Sequence, residues 1–205
     1  LGTNPTTFDA VSGAARQILV ELACPRDGKD RCLFLPPGVM RAIKTNNISL
    51  FNPVTTIAKM FKDGIITEKA DSFDWSSSNS LYRHTAGTWQ TAANVKVNAA
   101  GQSGSTLTVA CTKGDTFKQG DKFSIAAVNE VNLMTRVAIS TSATGTKGFT
   151  VTSDTTATST TATVNIYPPI YGPGSHYQNV DALPVDTALV TLWPGTVSPN
   201  GKSGI

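Results

Sequence analysis

The chain has 205 residues, of which 40% are hydrophobic and 15% are charged, and its formal net charge is +3. The charged share lies clearly below the norm of roughly 25%, and the lysines are scattered, which argues against a dedicated nucleic-acid binder. Three cysteines without regular spacing do not indicate a disulfide framework. The sequence shows no signal peptide and no transmembrane run, so we expect no membrane association.

The first third of the chain alternates predicted helix and strand. Apolar residues at helical spacing predict a helix from Thr7 to Leu22. The apolar run from Cys32 to Leu35 predicts a short buried strand. A short helix is expected from Val39 to Lys44, with Pro37 near its first turn, and one or two helical turns between Pro53 and Phe61.

Beyond about Ala70 the chain changes to short alternating runs that are rich in Thr and Val and separated by Gly and Asn turns. The predicted strands are Asn94 to Asn98, Ser105 to Cys111, a strand with Phe123, Ile125 and Ala127 on one face, a strand with Phe149 and Val151, and Thr163 to Ile166. Strand signals at this regular spacing indicate a small closed barrel or a sandwich.

The last part of the chain contains two irregular stretches and a final strand. The low-complexity tract from Thr155 to Thr163 is interpreted as a hairpin tip that runs into a strand. Pro168 to Gly174 is expected to be an irregular loop, and Asp186 to Trp193 a largely buried strand. Helix and strand material therefore precedes a strand-rich segment and strand material follows it, as in a domain inserted into another domain. We expect residues 1–70 in a first domain, 71–180 in an inserted β-domain, and 181–205 to return to the first.

The sequence offers little for catalysis. It contains no nucleophile elbow, zinc-protease motif or phosphate-binding loop. His84 has neither a nucleophile nor an orienting acid near it in sequence, and His176 lies in a Gly/Pro loop, so both are interpreted as structural or surface residues. The cysteines and histidines do not cluster as a zinc site requires. We therefore predict no enzyme, no cofactor and no metal.

Several phrases of the chain, in one colinear order, resemble the podovirus (P-twenty-two-like) major capsid proteins of tailed bacteriophages. They are Phe61-Lys-Asp-Gly-Ile-Ile66, Ala70-Asp-Ser-Phe-Asp-Trp75, His84-Thr-Ala-Gly87, Gln119-Gly-Asp-Lys-Phe-Ser-Ile-Ala-Ala-Val128, Val131-Asn-Leu-Met-Thr-Arg136 and Tyr177-Gln-Asn-Val-Asp-Ala-Leu-Pro184. The chain departs from the family pattern at Ala127, where the family phrase has Gly, and at Leu133, where it has Pro.

The resemblance implies an α+β, mainly β chain, with a small β-barrel inserted in part of an HK-ninety-seven-type capsid α/β core. It implies a structural major capsid protein that self-assembles into an icosahedral phage head and is assembled in the host cytoplasm. The implied partners are other copies of the chain, scaffolding protein and portal, with packaged DNA bound only weakly and non-specifically. We expect the chain to be a fragment of a longer protein.

Nine residues are candidates for the structural core or for assembly contacts: Phe73, Trp75, Trp89, Phe123, Ile125, Val128, Phe149, Ile166 and Tyr177. An alternative from another class is a secreted β-sandwich that binds carbohydrate or acts as an adhesin, which the Thr and Ser content and the low charge permit. In that case Trp89, Tyr167, Tyr171 and Tyr177 form a sugar-stacking platform, although such aromatics more often anchor a barrel wall or a subunit contact.

Overall fold

The computed structural model describes residues 7, 9–22, 24, 31–46, 73–81, 84–90, 95–139 and 145–192. The chain divides into two compact units, Thr3–Tyr82 and a second unit that contains Arg83–Ile205. The helical turns predicted between Pro53 and Phe61, and the phrase from Phe61 to Ile66, lie outside the described residues.

The N-terminal unit has two α-helices, in the part that the structure describes. A π-helical turn, Asp9–Gly13, leads into α1, Ala14–Glu21. The helix predicted from Thr7 to Leu22 is thus confirmed, except that its first part is π-helical. Helix α2 spans Pro37–Asn46. Pro37 suits the first position of α2, because an N–H group in the first helical turn has no partner within the helix and proline therefore loses no hydrogen bond there.

Two parallel strands complete this unit within the described residues. Strand β1, Cys32–Leu35, pairs with β2, Asp74–Ser77, so that Leu33 lies opposite Trp75. The predicted strand β1 is confirmed, but its predicted burial is wrong, because Cys32 and Phe34 are exposed and only one face packs inward. Among the described residues of this unit, the buried core contains Leu35, Val39, Met40, Ile43, Phe73 and Trp75.

The second unit is built from antiparallel strands. They are β3, Lys96–Val97; β4, Gly104–Ala110; β5, Thr116–Phe117; β6, Lys122–Asn129; β7, Thr146–Val151; β8, Thr155–Thr156; β9, Thr161–Ile170; and β10, Val190–Leu192. Six of them form one sheet in the order β10-β6-β7-β9-β4-β3, and β5 pairs with β8 beside it.

The six-stranded sheet closes on itself. Its two end strands meet through a bridge between Lys96 and Leu189, and the Val190 N–H donates to the Val95 carbonyl at 2.9 Å. The Val97 N–H likewise donates to the Ala188 carbonyl at 2.8 Å. Closure removes the open edges that make sheets prone to aggregation. The sandwich option is thereby excluded for this sheet, and the barrel option is confirmed.

Alternation along the strands fills the barrel. In β9, for example, Ala162, Val164 and Ile166 are buried while the residues between them are exposed. Because side chains of a strand point alternately to its two faces, this pattern sends every second residue inward. The resulting core includes Val97, Leu107, Val109, Phe123, Ile125, Phe149, Val151, Val164, Ile166 and Leu192.

The structure differs from the expected strands at two places. Ala127 was expected to face inward with Phe123 and Ile125, but it is exposed and has a φ of 61°. It lies where the pairing of β6 with β7 shifts register between Ser124 and Asn129, so a bulge turns it outward. The loop expected from Pro168 begins later, because β9 continues to Ile170, which pairs with Gly104.

The predicted domain boundaries also differ from the packing. Phe73 and Trp75 were placed in the inserted domain, yet both pack in the core of the N-terminal unit because β2 pairs with β1. The return to the first domain was placed at residue 181, yet Val190–Leu192 pairs with β6 and so belongs to the barrel. Trp193, at the end of that predicted strand, lies outside the described residues.

Candidate functional site

An aromatic cluster fills the barrel beneath β6. The Trp89 ring stacks on Phe117 with centroids 5.3 Å apart and meets Phe123 edge-on at 6.1 Å. Phe123 in turn lies 5.7 Å from Phe149. The structure therefore brings three of the candidate residues into one cluster, and Phe117, which was not among the candidates, completes it.

The other candidates are divided between the two units and the surface. Ile125, Val128 and Ile166 lie in the same barrel core as the aromatic cluster. Phe73 and Trp75 lie in the separate core of the N-terminal unit. Tyr177 is exposed over 71% of its surface, so it has no place in the core.

A buried carboxylate, Asp121, joins this cluster to the segment that contains His84. Its Oδ2 accepts hydrogen bonds from the Trp89 indole N–H at 2.9 Å and from the Lys118 backbone N–H at 2.9 Å. The Gly87 N–H donates to Oδ2 at 3.2 Å, and His84 Nε2 lies 2.7 Å from Oδ1. Asp121 is fully buried, and a buried carboxylate is stable only when such donors replace water.

Local sequence explains why the carboxylate is presented inward. Gly120 has a φ of +96°, a left-handed conformation that glycine adopts without strain, and the His84 ring packs against it. The Asp121 N–H donates to the Lys118 carbonyl at 2.9 Å, which closes a tight turn immediately before β6. The Asp121 carbonyl then accepts the Val151 N–H at 2.8 Å, so the turn is fixed to β7 as well.

Glycine is also required at position 87. A Cβ atom there would lie 1.8 Å from the Thr116 carbonyl oxygen, a distance that no real contact allows. Thr88, the next residue, exchanges two hydrogen bonds with Thr116. The Thr88 N–H donates to Thr116 Oγ1 at 3.1 Å, and the Thr116 N–H donates to Thr88 Oγ1 at 3.0 Å. The His84-to-Trp89 segment is therefore held flat against β5 and β6.

The arrangement is suited to holding the fold together. Both oxygens of Asp121 are occupied by N–H donors of its own chain, and the indole that it binds belongs to the core. Within the described residues no group of three His, Cys, Asp or Glu side chains is placed to bind a metal ion. Cys24, Cys32 and Cys111 are free thiols. Burial, with the nearby Asp115 carboxylate, raises the pKa of the Cys111 thiol.

Asp121 was not predicted as the acid partner of His84, because 37 positions separate the two residues. The phrase Gly120-Asp121 could have indicated this partner, since an Asp directly before a core strand needs hydrogen-bond donors if it is buried. The proposed sugar platform does not form, because Trp89 is buried whereas Tyr167, Tyr171 and Tyr177 are exposed.

A search of curated proteins finds no match. Among solved structures, the chain is similar to the CUS-3 coat protein I-domain, with 23% sequence identity and a TM-score of 0.36, covering 50% of this chain and 96% of that one. No helix in the described part of the chain has both the length and the apolar character needed to cross a membrane. The model of the family described as "P22 coat protein - gene protein 5" matches residues 2–197. Because that match extends over nearly the whole sequence, the chain belongs to the P22 coat protein family and is a structural component of a phage capsid.

Proposed function

We propose that the barrel of this coat protein is an inserted domain that folds on its own and braces each subunit of an icosahedral head. The observation that carries the proposal is closure: the bridge between Lys96 and Leu189 joins the two end strands of the six-stranded sheet. A closed sheet with its own hydrophobic core does not need strands from another domain. Such a unit can fold early and then hold its two chain ends at fixed positions.

The partners of the assembling subunit are other copies of itself, a scaffolding protein and a portal, with assembly in the host cytoplasm. Packaged DNA is contacted only weakly and without sequence preference. Two ion pairs of the barrel support this, because they neutralise Lys118 with Asp154 and Lys147 with Glu130. Strong DNA binding needs a row of cations directed at phosphates.

The role of the chain is structural and does not involve catalysis. The His84–Asp121 pair resembles part of a catalytic triad, but both carboxylate oxygens of Asp121 are occupied by internal donors. A catalytic acid orients a histidine towards substrate, whereas this one also binds a core indole and two backbone N–H groups. The pair therefore serves to anchor the His84-to-Trp89 segment.

Two experiments test the proposal. Residues 83–192, produced alone, are expected to unfold in urea in one cooperative transition when unfolding is monitored by far-UV circular dichroism. A gradual change without a baseline overturns the independent barrel.

Electron microscopy of the full-length coat protein is expected to show shells or capsomers. Monodisperse monomers under all assembly conditions overturn the self-assembly of this protein.

A further inference from the structure

The tips of two barrel loops expose four apolar side chains. Leu133, Met134, Val137 and Tyr177 are exposed over 59%, 82%, 64% and 71% of their surfaces. We refer to these four residues as the loop-tip patch. Single exposed apolar residues are ordinary on a protein surface, but a group of them at one place marks a contact site.

The first loop is rigid. Asn132 Oδ1 accepts the backbone N–H groups of Met134 at 2.9 Å and Thr135 at 3.2 Å. The Asn132 N–H donates to the Val137 carbonyl at 2.9 Å, and the Arg136 N–H donates to the Asn132 carbonyl at 2.8 Å. The apolar side chains are thus presented by a loop whose shape is set before binding, and so the entropy lost on association is small.

The second loop is fixed to the first by Arg136. Its guanidinium donates to the Gln178 carbonyl at 2.9 Å and to the His176 carbonyl at 3.0 Å, one on each side of Tyr177. The Tyr177 ring also lies 5.2 Å from His176 and 5.9 Å from Tyr171. The two loop tips therefore form one surface, and Tyr177 is held within it.

We propose that the loop-tip patch binds a second copy of this chain in the assembled shell. This inference rests on the coat function. The four side chains carry no charge, and the charge of Arg136 is directed at carbonyls of its own chain. A neutral patch can meet the same patch, or another apolar patch, of a neighbouring copy without like-charge repulsion, as contacts between identical subunits require.

The size of the patch indicates how it acts. A stable pair of proteins buries about 800 Å² on each partner, far more than four side chains provide. The patch is therefore an additional contact that operates beside larger interfaces of the coat protein. In a shell, where the contact is repeated on every subunit, a weak interaction of this kind adds strongly to assembly.

Methionine oxidation tests the contact in the native coat protein. Hydrogen peroxide converts exposed methionine to the sulfoxide, so Met134 is expected to oxidise rapidly in unassembled subunits and several-fold more slowly in shells. Met40 is buried in the core of the N-terminal unit and serves as an internal control that oxidises slowly in both states. Equal oxidation rates of Met134 in subunits and shells overturn the proposal. Absence of shells from the unmodified protein would instead contradict the coat function.

A pair of variants tests the role of the contact in assembly. Leu133→Ser with Met134→Ser is expected to slow shell formation, measured by light scattering and electron microscopy, while its urea midpoint stays at that of the parent. Val185→Ser removes a comparably exposed apolar side chain (57%) from a different loop and is expected to assemble like the parent. If the double variant assembles normally, the proposal is wrong. It is also wrong if only scaffold-dependent assembly fails, since the patch then binds scaffolding protein.

Discussion

The indole Nε1 of Trp89 donates a 2.9 Å hydrogen bond to Oδ2 of Asp121, across 32 positions of the chain. The aromatic core of the barrel and the turn that begins β6 are thereby joined at one carboxylate. A hydrogen bond to a buried charge is stronger than one between neutral groups, and removal of the acceptor leaves several donors without a partner. Asp121 is therefore expected to contribute more to stability than any exposed carboxylate of the barrel.

Asp121→Asn is expected to lower the free energy of unfolding by about 3 to 5 kcal/mol. The amide has the same size, but its NH₂ group cannot accept the N–H donors that now converge on the carboxylate. Urea unfolding followed by circular dichroism measures the loss. Asp186→Asn is the matched control, because Asp186 is exposed and accepts one hydrogen bond, from the Ala99 N–H. Equal losses in the two variants would contradict the special role of Asp121.

Gly87→Ala is expected to destabilise the barrel by about 1 to 3 kcal/mol. The new methyl group would meet the Thr116 carbonyl at 1.8 Å, so the segment that carries Trp89 has to move away from β5. The Gly87 N–H would move with it and lose its hydrogen bonds to Asp121.

Gly38→Ala in α2 adds the same methyl group where nothing lies within 4 Å, and serves as the comparison. Because Ala forms helix better than Gly, this variant is expected to be at least as stable as the parent. The comparison is made on thermal midpoints of the full chain. A Gly87→Ala protein with the midpoint of the parent would show that β5 adapts at no cost.

Local alternation predicts the inward positions where the barrel strands are regular, but it fails at Ala127, where a bulge interrupts β6. Phe123 and Ile125 were expected on one face of β6 from their spacing alone, and both are buried. Pairing partners are a different matter, since Lys96 and Leu189 close the barrel although 93 positions separate them. No periodicity within a strand encodes which strand lies beside it.

The candidate site was harder to predict for the same reason. The phrases around His84 and Asp121 were both noted as signs of family resemblance, but their contact forms only when the barrel closes. Tyr177, a candidate for the core or for an assembly contact, is exposed, because aromatic character alone does not distinguish a core ring from a ring on a loop. The packing of Trp75 in the N-terminal unit was equally hard to predict, because its strand pairs in parallel with a strand some forty positions earlier, Cys32–Leu35.

Asp154→Asn is expected to make the stability of the protein depend less on pH in the acid range. The Gln119 backbone N–H, together with Lys118, holds the pKa of Asp154 below its ordinary value. A carboxyl group whose pKa is lowered by folding stabilises the protein above its unfolded pKa, and that contribution is lost as the pH falls through the folded pKa, below about 4. Urea midpoints at neutral pH and at about pH 2.5 are therefore expected to differ less in the variant.

Lys118→Met separates the two causes of this lowered pKa. The variant keeps the Gln119 N–H, which donates to Asp154 Oδ1 at 2.8 Å and is the largest single cause. Its loss of stability on acidification is expected to lie between those of the parent and Asp154→Asn, because the Gln119 N–H still lowers the pKa of Asp154. If Lys118→Met matches Asp154→Asn instead, the ion pair with the Lys118 ammonium is the dominant cause.

Ala127→Gly is expected to stabilise the barrel by about 0.5 to 1 kcal/mol. Ala127 has a φ of 61° in the bulge of β6, where a Cβ atom costs about 1 to 2 kcal/mol, and glycine offsets part of this gain through its larger freedom in the unfolded chain. The departure of this chain from the glycine in the family phrase is therefore a local strain that a single substitution relieves.

Ala126→Gly, one position earlier on the same exposed stretch of β6, is the matched control. It has no positive φ to relieve and is expected to destabilise by about 0.5 to 1 kcal/mol. Opposite signs of the two changes in urea midpoint support the backbone argument, whereas a loss of stability in both variants shows that the bulge tolerates alanine without strain.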